Sequence, residues 1–417
     1  MPALPSPPSW FPGHMRKFTR ILPMLLKKTN VVLEIRDTRL PLTSINWELE
    51  GALRQWRLER GWDPNRPGCR IHNSVACEHI VVLNKRDLVA EWGMEPFQKA
   101  MASKFPDQRL LFASWHRSRD IRNLSELLVN ISKQYPHAME HNVLVVGMPN
   151  VGKSTLLNAL RNSGIKGPTP KALRTSAQPG LTQALSTRLK ISLEPLVYAF
   201  DSPGVMLPFL GQGTEGAERG VKLALIAGIK EGLYDMETLA AYLLYRLNVL
   251  NPIAPDDTAA PSQAVYPTND LAEFLTLLAR RMGMIKRGAE PDLERAAVHF
   301  VRWWREEGGL VSAADGDGGV VCKNRRTMLP GEEMVQGWGF DFEWGLSHEE
   351  MASEEYVRTP GVVVQRKMEG CIERFLEMRE REEREGGVVS RTQMKKREVE
   401  RVKARREEKR RERGGRG

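Results

Sequence analysis

The run Gly147-Met-Pro-Asn-Val-Gly-Lys-Ser154 fits GxxxxGK[ST] and lies between an apolar strand-like stretch, 143–146, and a helical stretch, 154–160. Strand, glycine loop and helix in that order are what a phosphate cradle requires. Glycines let backbone N–H groups turn toward a β-phosphate, the helix N-terminus adds its positive end, and the lysine reaches the β- and γ-phosphates. Gly147, Asn150, Val151, Gly152, Lys153, Ser154 and Thr155 are the expected phosphate-binding set, with the Ser154 hydroxyl also suited to Mg²⁺.

Other segments supply the remaining parts of such a pocket. Asp201-Ser-Pro-Gly204 closes the apolar run 196–200, so Asp201 stands at a strand end where a carboxylate can hold Mg²⁺ through water, and the Gly204 amide can meet a γ-phosphate. Gln178-Pro-Gly-Leu-Thr182, between the two, offers Thr182 as a second Mg²⁺ ligand that senses the γ-phosphate. Asn84-Lys85-Arg86-Asp87 follows another apolar run, 79–83. A carboxylate there accepts two hydrogen bonds from the N1–H and exocyclic amine of guanine, which adenine does not offer, so GTP is the expected nucleotide and an ATP-using enzyme is disfavoured. Ser114, directly after the run 109–113, is expected to supply a further base contact. The order is unusual: the base-reading motif precedes the phosphate loop by 63 positions. A parallel sheet can be reopened at another loop without losing its strand neighbours, so the same pocket forms from a circularly permuted chain.

Runs at 31–35, 79–83, 109–113, 143–146, 187–193 and 196–200 read as strands, and 96–104, 121–133 and 153–161 as helices, which gives a mostly parallel α/β sheet. Residues 54–77, with Trp, Pro and Gly, read as a surface insertion. From about 216 helices take over: one opens with Asp270 and Glu273 at capping-box spacing, and another follows Asp292 and buries Leu293, Ala296, Ala297, Phe300, Val301 and Trp304. The expected division is an N-terminal basic segment (1–30), a circularly permuted P-loop GTPase domain (31–215), a mainly helical domain (216–375) and a basic charged tail (376–417).

The net charge of +10 is concentrated at the ends: 391–417 carries 13 Lys/Arg against 5 Glu, and 1–33 carries 5 Lys/Arg and no acid, leaving the middle at −3. Basic ends on a near-neutral body suit a polyanion, nucleic acid first and anionic lipid second; the alternative is that they only keep the ends solvated. The acid-free helical pattern with Phe18, Ile21, Leu22, Leu25 and Leu26 on one face reads as a mitochondrial presequence and as a packed first helix, two readings that do not exclude each other. No apolar stretch is long enough to span a bilayer. Four cysteines without a CxxC pair exclude a disulfide scaffold and point to a reducing compartment, and the spacing of Cys69, His72, Cys77 and His79 departs from zinc patterns.

Taken in order, Trp10-Phe-Pro-Gly-His-Met15, Asp37-Thr-Arg-Leu-Pro41, NKRD, GMPNVGKST, PGLT and DSPG resemble the circularly permuted ribosome-assembly GTPases of the YlqF/RbgA type, in their mitochondrial ribosome-associated branch. The resemblance implies a GTP-hydrolysing assembly factor whose partners are the large ribosomal subunit and its rRNA, on the matrix side of the mitochondrion, with peripheral contact to the inner membrane as the lipid alternative and the cytoplasm as the alternative location. It also implies that His14 swings in as a catalytic residue when the particle is bound, and that Asn150 helps hold K⁺ in place of an arginine finger. Directly after DSPG stand Val205 and Met206, where many GTPases carry a water-orienting Gln, so slow intrinsic hydrolysis is expected. That absence leaves a second reading open, an RNA-binding scaffold in which GTP is structural.

Overall fold

Every residue of β1 (Val31–Asp37) is buried, and the strand lies at the centre of a six-stranded sheet. The structure is a computed structural model that describes residues 1–8, 10–64, 76–165, 173, 188–250, 268, 270–308 and 333–384. The other strands are β2 (Glu78–Asn84), β3 (Arg109–Ala113), β4 (His141–Gly147), β5 (Leu189–Ser192) and β6 (Val197–Asp201), in the order β3-β2-β1-β4-β6-β5. All neighbours run parallel except β5 against β6. Both faces of such a sheet must be covered, which is why its strands read as continuous apolar runs. The order reverses direction between β1 and β4, and ligands of open α/β sheets bind outside the carboxyl ends of the strands at such a point.

One face carries α4 (Ser118–Lys133) and α5 (Lys153–Gly164), whose Leu124, Leu128, Leu156 and Leu160 pack with Leu33, Ile35, Val143 and Val145. The other carries α1 (Gly13–Lys27) and α2 (Trp47–Glu59), with Phe18, Leu22, Leu26, Leu49, Leu53 and Trp56 against Val32, Leu144 and Val146. The basic amphipathic helix is thus a packed element of the fold. Arg54 to Glu59, read as the start of a surface insertion, belongs instead to α2, where Leu49, Leu53 and Trp56 recur at helical spacing on its buried face; residues 65–75 lie outside the described residues. Cys69 and His72 fall there, and His79 Nε2 lies 2.9 Å from Glu34 Oε2.

Beyond β6 come α6 (Gly213–Leu225), α7 (Met236–Leu250), α8 (Leu271–Arg281) and α9 (Leu293–Trp303). Asp270 caps α8 by accepting from Ala272 N and Glu273 N, but the Glu273 carboxylate accepts from Thr268 Oγ1, so the expected reciprocal box is not closed. Ala296, Ala297, Phe300 and Val301 of α9 are buried as expected, with Trp304 beside them. The segment after residue 332 departs from the helical expectation. It opens with a β-hairpin, β7 (Glu333–Trp338) and β8 (Phe342–Ser347), then two short helices, α10 (His348–Ala352) and α11 (Glu354–Arg358), then the long α12 (Pro360–Arg384).

The hairpin and α12 complete a core with α3 (Met94–Lys104), where Trp338, Phe342, Val364, Met368 and Ile372 meet Val81, Leu83, Phe97 and Met101. The Trp338 ring stacks on Phe97 at 5.0 Å, and its indole N–H donates to Ala90 O. Residues 375 onward continue α12 as far as Arg384, with Phe375 stacked on Trp47 at 6.2 Å and the Arg379 guanidinium over the same indole. The basic run 391–417 lies outside the described residues.

Candidate nucleotide-binding site

The phosphate loop turns sharply between β4 and α5. Gly152 caps α5 at φ +92, a left-handed conformation in which a side chain would be strained, and a Cβ there would fall 2.4 Å from Asn84 Nδ2. Asn150 also takes a left-handed conformation, at φ 59. Lys153, at the start of α5, folds back so that its ammonium donates to Gly147 O at 3.2 Å and Met148 O at 2.7 Å. Burial lowers this lysine to about 8, with the Asp201 carboxylate pulling the other way. An ammonium held by its own loop carbonyls is poised to exchange them for phosphate oxygens, which would bring its pKa back toward the ordinary lysine range.

The NKRD loop, expected to read the base, and the loop expected to hold the phosphates, so far apart in sequence, are bonded to each other. Asn84 Nδ2 donates to Val151 O at 2.8 Å, and Lys85 Nζ donates to Asn150 O at 2.9 Å. Parallel pairing of β1 with both β2 and β4 sets this up, because it brings Asn84 and Gly147 to the same end of the sheet. Arg86 Nε stands 3.1 Å from Asp120 Oδ2, and the same carboxylate oxygen accepts from Ser114 N at 3.1 Å, so α4 fixes both base-side loops. The Ser114 hydroxyl accepts from His116 N. Asp87 Oδ1 is buried with no hydrogen-bond partner among the described residues. A carboxylate oxygen held dry and unsatisfied fits a ligand that brings donors, as the N–H edge of guanine does.

On the other side of the loop, Ser154 Oγ donates to Asp201 Oδ2 at 2.5 Å. Burial raises the Asp201 carboxyl, opposed by Lys153 and by the Ser154 hydroxyl. A hydroxyl and a carboxylate together at the loop are hard oxygen donors of the kind Mg²⁺ takes; Ser154 and Asp201 would hold the ion, which would offset phosphate charge. Thr155 follows, half-buried, on α5. Gly204 approaches the loop so closely that a Cβ would lie 2.6 Å from Pro149 Cα, and Val205 N donates to Gly147 O. Val205 and Met206 are both buried. Thr182 lies outside the described residues.

Two residues stand differently from their neighbours. Asn150 commits its amide N–H to Ile226 O at 3.0 Å, linking the phosphate loop to the end of α6. His14, in the first turn of α1, has Nε2 buried without a hydrogen-bond partner among the described residues, and burial lowers its imidazole from the ordinary value.

Residues without an expected role surround the base side. Asp37 accepts from Arg39 through both oxygens at 2.9 Å and lies 3.0 Å from Lys85 Nζ. Burial pushes its carboxyl up, but the two cations outweigh burial and hold it well below the usual range. Thr38 donates from its backbone and its hydroxyl to Asn84 O. The Asp-Thr-Arg run was visible in sequence but carries no chemistry of its own there; the signal for Asp120 is an acid in the first turn of the helix that follows Ser114.

Sheet order, permuted loop order and site define a P-loop GTPase. A family model described as 50S ribosome-binding GTPase matches residues 142–252, beginning at β4 and so leaving the NKRD half of the pocket ahead of the match, as permutation requires. The chain is 32% identical over 313 residues to mitochondrial ribosome-associated GTPase 1 of Xenopus tropicalis, covering 71% of this chain and 90% of that protein. It is 33% identical over 244 residues to the Mus musculus protein of the same name, covering 57% of this chain and 66% of that one. Mitochondrial GTPase 1 of Schizosaccharomyces pombe is 28% identical over 305 residues, 68% of this chain and 82% of the relative. Among solved structures, the crystal structure of GNP-bound YlqF from T. maritima aligns with TM-score 0.42 and 22% identity over 71% of this chain and 95% of that one. The chain belongs to the mitochondrial ribosome-associated GTPase 1 family.

Proposed function

We propose that this GTPase is an assembly factor for the large ribosomal subunit of mitochondria, whose hydrolysis of GTP is switched on by the particle. The observation that carries the reading is the pocket itself: the base-reading loop is hydrogen-bonded to the phosphate loop, beside the Ser154–Asp201 pair and below the unpartnered Asp87 oxygen. In it, Asn84, Lys85, Arg86, Asp87 and Ser114 shape the guanine side, and 147–155 with Gly204 the phosphate side. Ser154 and Asp201 would hold Mg²⁺, joined by Thr182. The particle is the partner that the names of the relatives suggest, and the mitochondrion is the location they suggest.

External activation follows from what stands after DSPG. Val205 is buried, its N–H is bonded to Gly147 O and its carbonyl accepts from Asn46 Nδ2, so neither its side chain nor these backbone groups are available to orient water. His14 is the group proposed to supply that function on the particle, since its Nε2 has no described partner to give up. A K⁺ role for Asn150 would fall to the amide oxygen, because the amide nitrogen is donated to Ile226. The basic residues Arg16, Lys17 and Arg20 on the outer face of α1 suit rRNA phosphates, and secondarily an anionic membrane surface. No helix among the described residues is long and apolar enough to cross a membrane.

Single-turnover hydrolysis with and without purified mitochondrial large subunits tests the reading. Particle stimulation that is lost in His14→Ala, with nucleotide affinity kept, is the expected result. The scaffold reading, favoured by Val205, expects no stimulation and equal rates for both proteins.

A further inference from the structure

The C-terminal hairpin reaches back across the molecule to the loop that carries the Asp37-Thr-Arg run. Its turn presents Asp341, whose Oδ2 accepts from Leu42 N and Thr43 N, both at 2.8 Å, while Oδ1 accepts from Thr43 Oγ1 at 2.6 Å. The neighbouring Phe340 donates its backbone N–H to Arg39 O at 2.8 Å. The turn therefore grips residues 39–43 at both ends. On its inner side the same loop grips the base-reading motif: Thr38 donates twice to Asn84 O, and Asp37 holds Lys85 Nζ. A second route runs through rings. Phe340 stacks on Trp304 at 4.9 Å, the Arg39 guanidinium lies 4.7 Å over that Trp304 ring, and Arg39 is the bidentate partner of Asp37. Asp341 Oδ1 also lies 3.4 Å from Lys222 Nζ on α6, the helix that follows the DSPG strand.

We propose that the β7–β8 turn positions the guanine-binding loop through residues 37–43, with Asp341 as the positioning residue that sets nucleotide affinity while leaving the hydrolytic step alone. This rests on the reading of Lys85 and Asp87 as nucleotide contacts. The charge arrangement supports it. Lys85 Nζ lies 3.0 Å from Asp37 Oδ2 and donates to Asn150 O at 2.9 Å, so any looseness in the loop that carries Asp37 moves the cation lying between the base side and the Asn150 carbonyl. Asp341 touches none of the expected nucleotide contacts, so its effect should travel through that loop and, through Lys222, through α6; Thr43→Val perturbs the loop route alone.

The test measures GDP affinity and dissociation with a fluorescent GDP analogue, and the saturating single-turnover rate for GTP, in the full chain and its variants. Asp341→Ala should weaken GDP about tenfold through faster dissociation while keeping the saturating rate within about twofold, the size typical of coupling through packed contacts. Asp341→Asn should recover most of the affinity, because one amide oxygen can accept both N–H groups and the amide N–H₂ can meet the Thr43 hydroxyl. If Asp341→Ala does not fold, Thr43→Val, which removes one hydroxyl bond, should still weaken GDP by about twofold to threefold. Unchanged affinity in a folded Asp341→Ala, or in Thr43→Val where the first does not fold, overturns the proposal, as does an Asn variant as poor as the Ala variant. Asp87→Asn run alongside separates the two readings: if it keeps full GTP preference the base-site reading fails and this proposal with it, whereas a lost preference beside a normal Asp341→Ala sinks only the proposal.

Discussion

Guanine selectivity in the proposed pocket rests most directly on Asp87. Its buried Oδ1 has no partner among the described residues, so the carboxylate keeps hydrogen-bonding capacity that a base with two donors can satisfy. Asp87→Asn exchanges an acceptor for a donor and should weaken GTP by about 1.5–3 kcal/mol, roughly tenfold to a hundredfold, the cost of a charged hydrogen bond. It should strengthen xanthosine triphosphate, whose extra carbonyl accepts from the new amide. Competition between the two nucleotides measures both effects, and unchanged GTP preference would remove Asp87 from the pocket. Lys153 gives a pH signature. Burial brings it to about 8. A phosphate ligand favours the charged form and so raises its pKa in the complex. Affinity is therefore full below pH 8 and falls as pH rises above it, by up to about tenfold per unit. Titration calorimetry in buffers of different ionisation enthalpy should detect proton uptake on GDP binding near pH 8.5; binding without proton uptake would mean that Lys153 is already charged in the free protein.

Among the elements, the contact between α3 and the β7–β8 hairpin is built on rings: Phe97 packs on Trp338 and Phe342, and Phe112 from β3 meets both Phe97 and Trp338. Trp338 is 1% exposed, stacks on Phe97, bonds Ala90 O and lies so near Gly93 that a Cβ there would fall 2.2 Å from its ring. Trp338→Ala should cost about 3–5 kcal/mol in urea unfolding, the range for a buried aromatic truncated to alanine. Val357→Ala, at a position 71% exposed, should stay within about 0.5 kcal/mol. An equal effect of the two would mean that the hairpin is not part of the folding unit. This contact also marks where sequence reading runs out. The parallel strands were legible because strands buried on both faces are continuous apolar runs, and the phosphate loop because glycine spacing and helix start coincide. The hairpin was not: its residues mix glycine and acids with aromatics, and what stabilises them is α3, more than two hundred positions earlier. Glu34 and Arg36 are a similar case. Charges on a central strand look solvent-facing, yet Arg36 Nε bonds Glu34 at 2.7 Å, pairs with Glu50 from α2, and Glu34 meets His79. In the site, the NKRD and phosphate motifs were legible by residue type, but the Asp37–Lys85 support arises only when β1 and β2 pair.

At the scale of the whole molecule, a pocket tied through Asn150 to α6 and through Asp341 to the C-terminal hairpin sits on a chain whose basic residues gather at its ends. The hairpin is bonded to the loop beside the pocket, whereas the run 391–417 lies outside the described residues. The pocket and the basic run are expected to do separate jobs, and deletion can tell them apart. Thirteen Lys/Arg in that run can displace counterions from rRNA. Each phosphate neutralised contributes about 0.7–0.9 to the slope of log affinity against log salt. The run contains no aromatic residue to stack on bases, so it should add affinity without sequence preference. Removing 391–417 should leave GDP affinity and basal hydrolysis unchanged, weaken association with large subunits at low salt, and flatten the salt slope by several units if most of these charges reach phosphates. Sedimentation of full-length and truncated protein with subunits across a salt series gives both quantities in one experiment. A truncated protein with the same affinity and slope would assign rRNA contact to the basic face of α1 and leave the tail as a solvated end.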